Sequence, residues 1–335
     1  MKIGVLCSGG DAPGMNACLR AIVRAAVCIG DDVVGIMHGY QGIFDEEFYA
    51  TSTMEKQLGS SIGLGMRSVS GLSKRGGTVL HSSRCRRFMT PEGVKDAAQL
   101  LHKHSFDALL PIGGNGTLGG ALDLCKVWDG QVIGLPGTID NDLLGTDRTI
   151  GFATAVQTAV DAVDKLRDTA GSHDMMFFVE VMGRHCGDLA VHAAIASGAE
   201  MVCVPEIPTN ADHLVHSLKR IKHLGKKSVI MIVAEGDDLG NATQIQDILK
   251  KAGNPFDSRV VVLGHTQRGG SPAPADRILA SQLGCFAVES LHNGETGKMA
   301  GTINEKMTLT PLEDCVKGHR QITPDYLHLL QIVSG

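Results

Sequence analysis

Residues 107–117 read DALLPIGGNGT. An apolar run, ALLPI, feeds straight into a glycine-rich turn. That is the pattern of a buried strand ending on backbone that can come close to an anion. The polar residue of the turn is Asn115, an amide where a Mg²⁺–nucleotide site is expected to carry a hard anionic oxygen. The same pattern recurs along the chain. KIGVLCS runs into GGDAPG, DDVVGIM into HGYQG and GQVIGL into PGT. MMFFVEVMG, EMVCVPE, KSVIMIVAEG and RVVVLGHTQRGG follow later. Amphipathic stretches such as MNACLRAIVRAAVCIG and ATAVQTAVDAVDKLRD lie between them. Strand, glycine turn and helix in repetition predict an α/β fold, a largely parallel sheet with helices on both faces. In such sheets ligands bind at the carboxyl ends of the strands, where these turns lie.

The bulk numbers narrow the function classes. A chain of 335 residues is comfortable for two lobes with separate cores. With 43% hydrophobic and 20% charged residues it has the balance of an ordinary soluble protein. A net charge of −5 gives no basis for nucleic-acid or membrane binding, so any basic site is local. Aromatics at 4% argue against a stacking platform for single strands. None of the nine cysteines forms a C-x-x-C pair, and several sit in apolar runs (Cys7, Cys125, Cys203). They read as small buried hydrophobes in a reducing cytosol. The start reads as a strand rather than a signal peptide, and no apolar stretch is long enough for a bilayer, so a cytoplasmic protein is expected.

Four segments carry candidate chemistry. SGGDAPGMN (8–16) follows the first strand and opens the first helix, whose free N–H groups and positive end suit a phosphate. It is neither G-x-G-x-x-G nor a Walker sequence, and a plain strand–helix turn is the commoner meaning of its spacing. PGTIDNDLLGTD (136–147) puts Asp140 and Asp142 at a strand end. In a turn the two can converge, one taking a proton from an attacking hydroxyl and the other helping to hold Mg²⁺. A solvated Asx-turn explains the same letters equally well. VEVMGRHCGD (179–188) brings Arg184 to a strand end, where a guanidinium matches phosphate geometry; a surface arginine is the bland alternative. One His and one Cys, His185 and Cys186, do not make a metal site. RVVVLGHTQRGGSP (259–272) groups Arg259, His265 and Arg268 as an anion pocket, although His265 alone reads as a turn histidine.

Together these segments resemble 6-phosphofructokinase of the bacterial ATP-dependent type. IGVLCSGGDAPGMNA, GLPGTIDND, GTDRTIGF, VEVMGR and LGHTQRGGSP carry the likeness over nearly the whole chain. The resemblance implies two similar lobes with the active site in the cleft between them. The nucleotide lobe would comprise 1–150 and about 266–315, and the sugar-phosphate lobe about 151–265 and 316–335. It implies phosphoryl transfer from MgATP to the 1-hydroxyl of fructose 6-phosphate. Asp140 would be the general base, flanked by Thr138 and by Asp142 near the metal. Gly10 would sit against the transferring phosphate, with Arg84 and Arg184 stabilising its charge. Cys85, Gly114, Asn115, Gly116, Thr117 and Gly120 would line the nucleotide, Asn115 at the metal. Met182, Gly183, Arg184, Glu235, Arg259, His265 and Arg268 would bind the sugar phosphate. Arg20, Arg24, Arg67, Arg167, Glu200 and Lys226 would form an effector site for ADP or phosphoenolpyruvate. Arg259 would act across a subunit interface, which implies a homotetramer. Arg20 and Arg24 share a helix face by their spacing.

Donor choice is legible within the resemblance. Members that use pyrophosphate place an Asp where this chain has Gly116 and a Lys where it has Gly137; two glycines favour ATP. Two positions depart from the family. Asn115 stands where GGDG(S/T) has Asp, which predicts a rate lowered ~10–10³-fold. Met175 stands where an Arg reaches the 6-phosphate from a neighbouring subunit, which predicts a tenfold to hundredfold rise in KM, roughly one charge-assisted contact. A weakened regulatory paralogue and a kinase for another sugar phosphate, such as sedoheptulose 7-phosphate, remain as alternatives.

Overall fold

A computed structural model describes residues 1–49 and 64–333. Among them the strands in chain order are β1 (Lys2–Cys7), β2 (Asp32–Ile36), β3 (Ala108–Gly113), β4 (Gln131–Thr138), β5 (Ile150–Gly151), β6 (Met176–Val181), β7 (Met201–Cys203), β8 (Val229–Ala234), β9 (Ser258–Val262), β10 (Lys298–Ile303) and β11 (Lys306–Pro311). The helices longer than one turn are α1 (Met15–Cys28), α2 (Pro91–Lys103), α3 (Asn115–Cys125), α4 (Phe152–His173), α5 (Asp188–Ser197), α6 (Ala211–His223), α7 (Ala242–Lys251), α8 (Pro274–His292) and α9 (Pro324–Val333). The α/β reading holds: each predicted strand run contains a strand, and both predicted amphipathic stretches are helical.

The chain divides into two compact units. Unit 1 comprises Met1–Thr138, Leu143–Phe152 and Arg268–His319; unit 2 comprises Ile139–Asp142, Ala153–Gln267 and Arg320–Gly335. In unit 1 the sheet order is β11-β10-β4-β3-β1-β2, with β5 also paired to β4. Its pairings are parallel except for the β10–β11 hairpin, which the sequence reading did not anticipate. The hairpin turns at Asn304 and Glu305, both at positive φ (50° and 63°) without a glycine between the strands. One core layer gathers Leu6, Ile36, Leu109, Leu118, Leu124 and Val132.

Unit 2 holds a four-stranded sheet, β7-β8-β6-β9, parallel throughout. β8 is buried along its whole length, as a central strand covered on both faces must be. Met176, Phe178, Met231, Val233, Ile245 and Leu249 form a core layer there. Each such fully buried side chain contributes roughly 1.5–3 kcal/mol. Local signals agree with the packing. Thr90 caps α2 ahead of Pro91, and Asn241 with Gln244 closes a capping box on α7.

Candidate active site

Unit 1 supplies turns made of backbone. The first follows β1. Thr117 Oγ1 donates to the Ser8 carbonyl at 3.0 Å, and Ser82 Oγ donates to the Gly9 carbonyl at 2.6 Å. A Cβ on Gly10 would lie 2.9 Å from Arg268 Nη1, so a guanidinium covers this glycine. Arg268 therefore keeps company with the turn that the sequence reading gave to the transferring phosphate. Ser83 Oγ donates to the His38 carbonyl at 2.8 Å in the turn after β2, so Arg84 and Cys85 leave a segment tied to the turns after β1 and β2. Arg84 is exposed and Cys85 half-buried.

The second turn follows β3 and opens α3 at Asn115. Gly113 admits no side chain: a Cβ would stand 2.3 Å from Thr117 Oγ1 and 2.4 Å from the Ser8 carbonyl. The two turns are locked together by this close approach. Gly116 faces open space. Gly120 backs onto Tyr40 and Phe88, which stack at 3.9 Å, and Tyr40 donates to the Thr117 carbonyl at 2.7 Å. Thr117 itself is buried with its hydroxyl spent on Ser8, so it braces the turn from behind. Thr138 ends β4 beside Gly114, and its carbonyl accepts from Thr149 Oγ1 at 2.6 Å. Gly137 is closed in by Ile112 and Met15, each about 3.0 Å or less from an added Cβ, so a lysine there needs a different packing. Asn16, 1% exposed, carries no local signal in the sequence. Its Nδ2 donates to the carbonyls of Arg75 and Gly76, and its Oδ1 accepts from Val79, pinning the loop that leads to Arg84.

Unit 2 supplies charged groups. Asp140 and Asp142 are 5% and 6% exposed. Arg184 Nε lies 3.5 Å from Asp140 Oδ2, and the arginine side chain is 59% exposed. Arg184 has φ 53°, and its backbone N–H donates to Glu235 Oε1 at 2.9 Å. Gly183 makes the sharp turn possible, at φ 134° with a Cβ position 2.5 Å from the Cys186 carbonyl. Register explains the grouping. Val181 of β6 pairs with Ala234 of β8, so Met182–Arg184 and Glu235 leave neighbouring strands at the same end. Glu180 pairs with Val262 of β9, and His265 follows from that end, exposed, within the turn Gly264–Arg268.

Arg259 does not join them within this chain. It pairs with Phe177 near the amino-terminal end of the sheet, exposed, with Nη1 on the Ser258 carbonyl. Met175 immediately precedes β6 at that same end. The two residues that the resemblance links to a neighbouring subunit thus lie at the same end of the sheet, Met175 two residues before the Phe177 that pairs with Arg259.

The effector candidates are half assembled. Glu200 is buried, and its Oε1 meets Arg167 Nη1 at 3.0 Å and Lys226 Nζ at 2.9 Å. Its Oε2 accepts from the Ile230 amide at 2.7 Å. Burial alone would push this carboxyl up, but the amide and the two cations hold it below the usual carboxylate range. Arg20, Arg24 and Arg67 belong to unit 1, with Arg24 and Arg67 exposed. Among the described residues no group of three or more His, Cys, Asp or Glu could hold a metal. The cysteines are all free thiols, five of them buried. No helix of the described residues is long and apolar enough to cross a membrane.

Comparison with known proteins bears on the family and the fold. A family model described as phosphofructokinase matches residues 2–291. The chain is 45% identical to an ATP-dependent 6-phosphofructokinase of Thermus thermophilus, covering 99% of both chains. It is equally similar, at 45%, to the ATP-dependent 6-phosphofructokinase of Paenibacillus macquariensis, covering 99% and 98%. Among solved structures, phosphofructokinase from Saccharomyces cerevisiae matches with a TM-score of 0.84 at 33% identity. That match covers 99% of this chain and 47% of the yeast chain, about half its length. A pyrophosphate-dependent phosphofructokinase from Marinobacter aquaeolei shares the fold, with a TM-score of 0.83 at 20% identity. Strand ends, turns and relatives point the same way: the chain belongs to the phosphofructokinase family.

Proposed function

We propose that this protein transfers the γ-phosphoryl group of ATP to the 1-hydroxyl of fructose 6-phosphate, giving fructose 1,6-bisphosphate and ADP. The observation that carries the reading is the buried Asp140 with the exposed Arg184 guanidinium beside it, at the carboxyl ends of parallel strands. Full-length relatives that bear the name of this activity support it.

Phosphoryl transfer asks a protein for positioning and charge neutralisation more than for covalent chemistry. Asp140 takes the proton of the attacking hydroxyl. Arg184 meets the charge on the phosphoryl oxygens, with Arg84 on the donor side. Gly10 and the Gly113–Gly116 turn bring backbone close to the phosphates, and Thr138 borders them. Glu235, His265, Arg268 and the Met182–Gly183 backbone serve the sugar phosphate, and Arg259 serves that of a neighbouring copy in a homotetramer. Open space at Gly116 leaves room for a nucleotide, and the tight packing at Gly137 leaves none for a charged side chain. Both favour ATP over pyrophosphate.

Magnesium fits as an ion that arrives with the nucleotide. By the resemblance Asp142 and Asn115 would serve it; among the described residues no group of three or more His, Cys, Asp or Glu could hold a metal, which suits an ion that keeps phosphate and water ligands. When bound it would neutralise phosphate charge. The Arg167–Glu200–Lys226 group supports regulation by ADP or phosphoenolpyruvate. The free thiols suit a cytoplasmic protein.

The test is ADP release from purified protein with MgATP and fructose 6-phosphate, run beside a pyrophosphate control. Turnover with ATP alone is expected. Asn115 favours one second reading, a weakened regulatory paralogue. That reading takes over if ATP raises the melting temperature but neither donor gives product.

A further inference from the structure

Asp188 opens α5 and carries none of the roles assigned above. It is 2% exposed and stands at the positive end of the helix, which favours a carboxylate. Its Oδ2 accepts a 2.6 Å hydrogen bond from Asn141 Nδ2. Asn141 is the residue between Asp140 and Asp142, held in the left-handed region at φ 52°. Arg320 closes the frame twice. Its backbone N–H donates to the Asp142 carbonyl at 2.9 Å, and its Nη1 lies 3.4 Å from Asp188 Oδ2. His192, one turn along α5, places Nδ1 3.3 Å from Asp188 Oδ1 and packs on Tyr326 of α9 with ring centres 4.3 Å apart. Burial alone would raise the Asp188 carboxyl, but His192, Asn141 and Arg320 hold it low.

A cluster that only anchored the start of α5 could bond any nearby backbone. This one bonds the single side chain that separates the two acids, while a member of the same cluster bonds the carbonyl of the second acid. We propose that Asp188 is a positioning residue for phosphoryl transfer: through Asn141, and together with Arg320, it fixes the directions in which Asp140 and Asp142 leave their turn. The assignment rests on the activity proposed above. Its energetic logic is that a small misplacement of a reacting group costs about a hundredfold in rate.

Asp188→Ala, Asp188→Asn, Asn141→Ala and the double variant Asn141→Ala/Asp188→Ala test it in two ways. Steady-state kinetics with MgATP and fructose 6-phosphate should show kcat lowered about 10–100-fold in Asp188→Ala and in Asn141→Ala. Both KM values should stay within about threefold of wild type, and the double variant within about threefold of the slower single one, because the pair acts as a unit. Asp188→Asn keeps an oxygen that can accept from Asn141 and should recover most of the rate. Hydrogen–deuterium exchange is the second readout. The peptide spanning Ile139–Asp142 should exchange about tenfold faster in Asp188→Ala, while β8 is unchanged. Losses that multiply in the double variant with KM rising in step, or exchange at 139–142 equal to wild type, would overturn the role. If Asp188→Ala does not fold, Asn141→Ala and Asp188→Asn decide the matter. If the wild-type protein has no turnover at all, the kinase reading falls, and the exchange result alone decides whether Asp188 orders this turn.

Discussion

The turns of unit 1 are built by removing side chains; the turn of unit 2 that holds Asp140 is built by burying charged ones. At Gly10, Gly113 and Gly116 the chain presents bare backbone, braced by the hydroxyls of Ser82 and Thr117. At Asp140–Asp142 two carboxylates are nearly enclosed, framed by Asn141, Asp188 and Arg320. On the function proposed above, the contrast follows from what each half would handle. A polyanion is gripped by N–H groups that carry no net charge and need no conformational adjustment. A proton must be taken by a side chain whose direction is fixed, so that turn needs partners that hold it.

The largest effect should come from breaking the acid side. Asp140→Asn keeps shape and hydrogen bonding but cannot take the hydroxyl proton. We expect kcat to fall about 10²–10⁴-fold, the range for loss of a general base, with KM values changed only a few-fold. A kcat within tenfold of wild type would mean that another group takes the proton and that Asp140 only orients.

The next test moves an acid across the comparison. Asn115→Asp puts a carboxylate into a turn that otherwise works without one. If metal placement limits the wild-type rate, kcat with MgATP should rise ~10–10³-fold. An unchanged rate would show that the amide oxygen is enough and that Mg²⁺ is held by the nucleotide and by unit 2.

Sharpening follows within the glycine side. Gly113 and Gly116 are three apart, yet one has no room and the other has nothing near it. Gly113→Ala should destabilise by about 1–3 kcal/mol, the cost of overpacking a tight site. Gly116→Ala, in the first turn of a helix, should be neutral or stabilising by up to about 1 kcal/mol. Its cost should instead appear as a raised KM for ATP. Urea denaturation of both variants beside ATP saturation curves separates the two outcomes, and equal destabilisation would refute the spatial distinction.

What sequence made legible divides along the same line. β-branched runs that end in glycine announce strands and turns locally, so β1, β3, β4, β6, β8 and β9 could be read without partners. The β10–β11 hairpin could not. Its turn residues, Asn304 and Glu305, adopt positive φ without the glycine that marks such turns, and KMTLTP has a pattern found in loops as well as strands. Asp140 and Arg184 are legible because each follows a strand run; Glu235 enters only through the resemblance. Asp188 lies within VEVMGRHCGD but carries no local signal, because its partners Asn141 and Arg320 lie 47 and 132 residues away. Pairing at that range is a product of folding. Arg259 shows the converse: resemblance placed it at the sugar phosphate, and within one chain it stands at the far end of its strand.

The smallest effect should come from a buried acid outside the reacting turn. Glu200 is 2% exposed at its side chain but has two cations and an amide to itself, so it tests whether burying charge in unit 2 is always about catalysis. Glu200→Gln keeps the shape and removes the charge. Arg167 and Lys226 are partly exposed, so we expect a loss near the low end for a buried pair, about 1–2 kcal/mol at pH 7, with kcat unchanged. The pH dependence fixes the cause. The folded carboxyl titrates below its ordinary value, so its contribution is complete above about pH 4.5 and is lost as the pH falls through the depressed value. The stability gap between wild type and Glu200→Gln should therefore hold from pH 7 to pH 5 and shrink as the pH falls further. A gap that persists in acid would assign the loss to packing rather than charge. A matching fall in kcat at pH 7 would mean that the two buried acids serve one reaction.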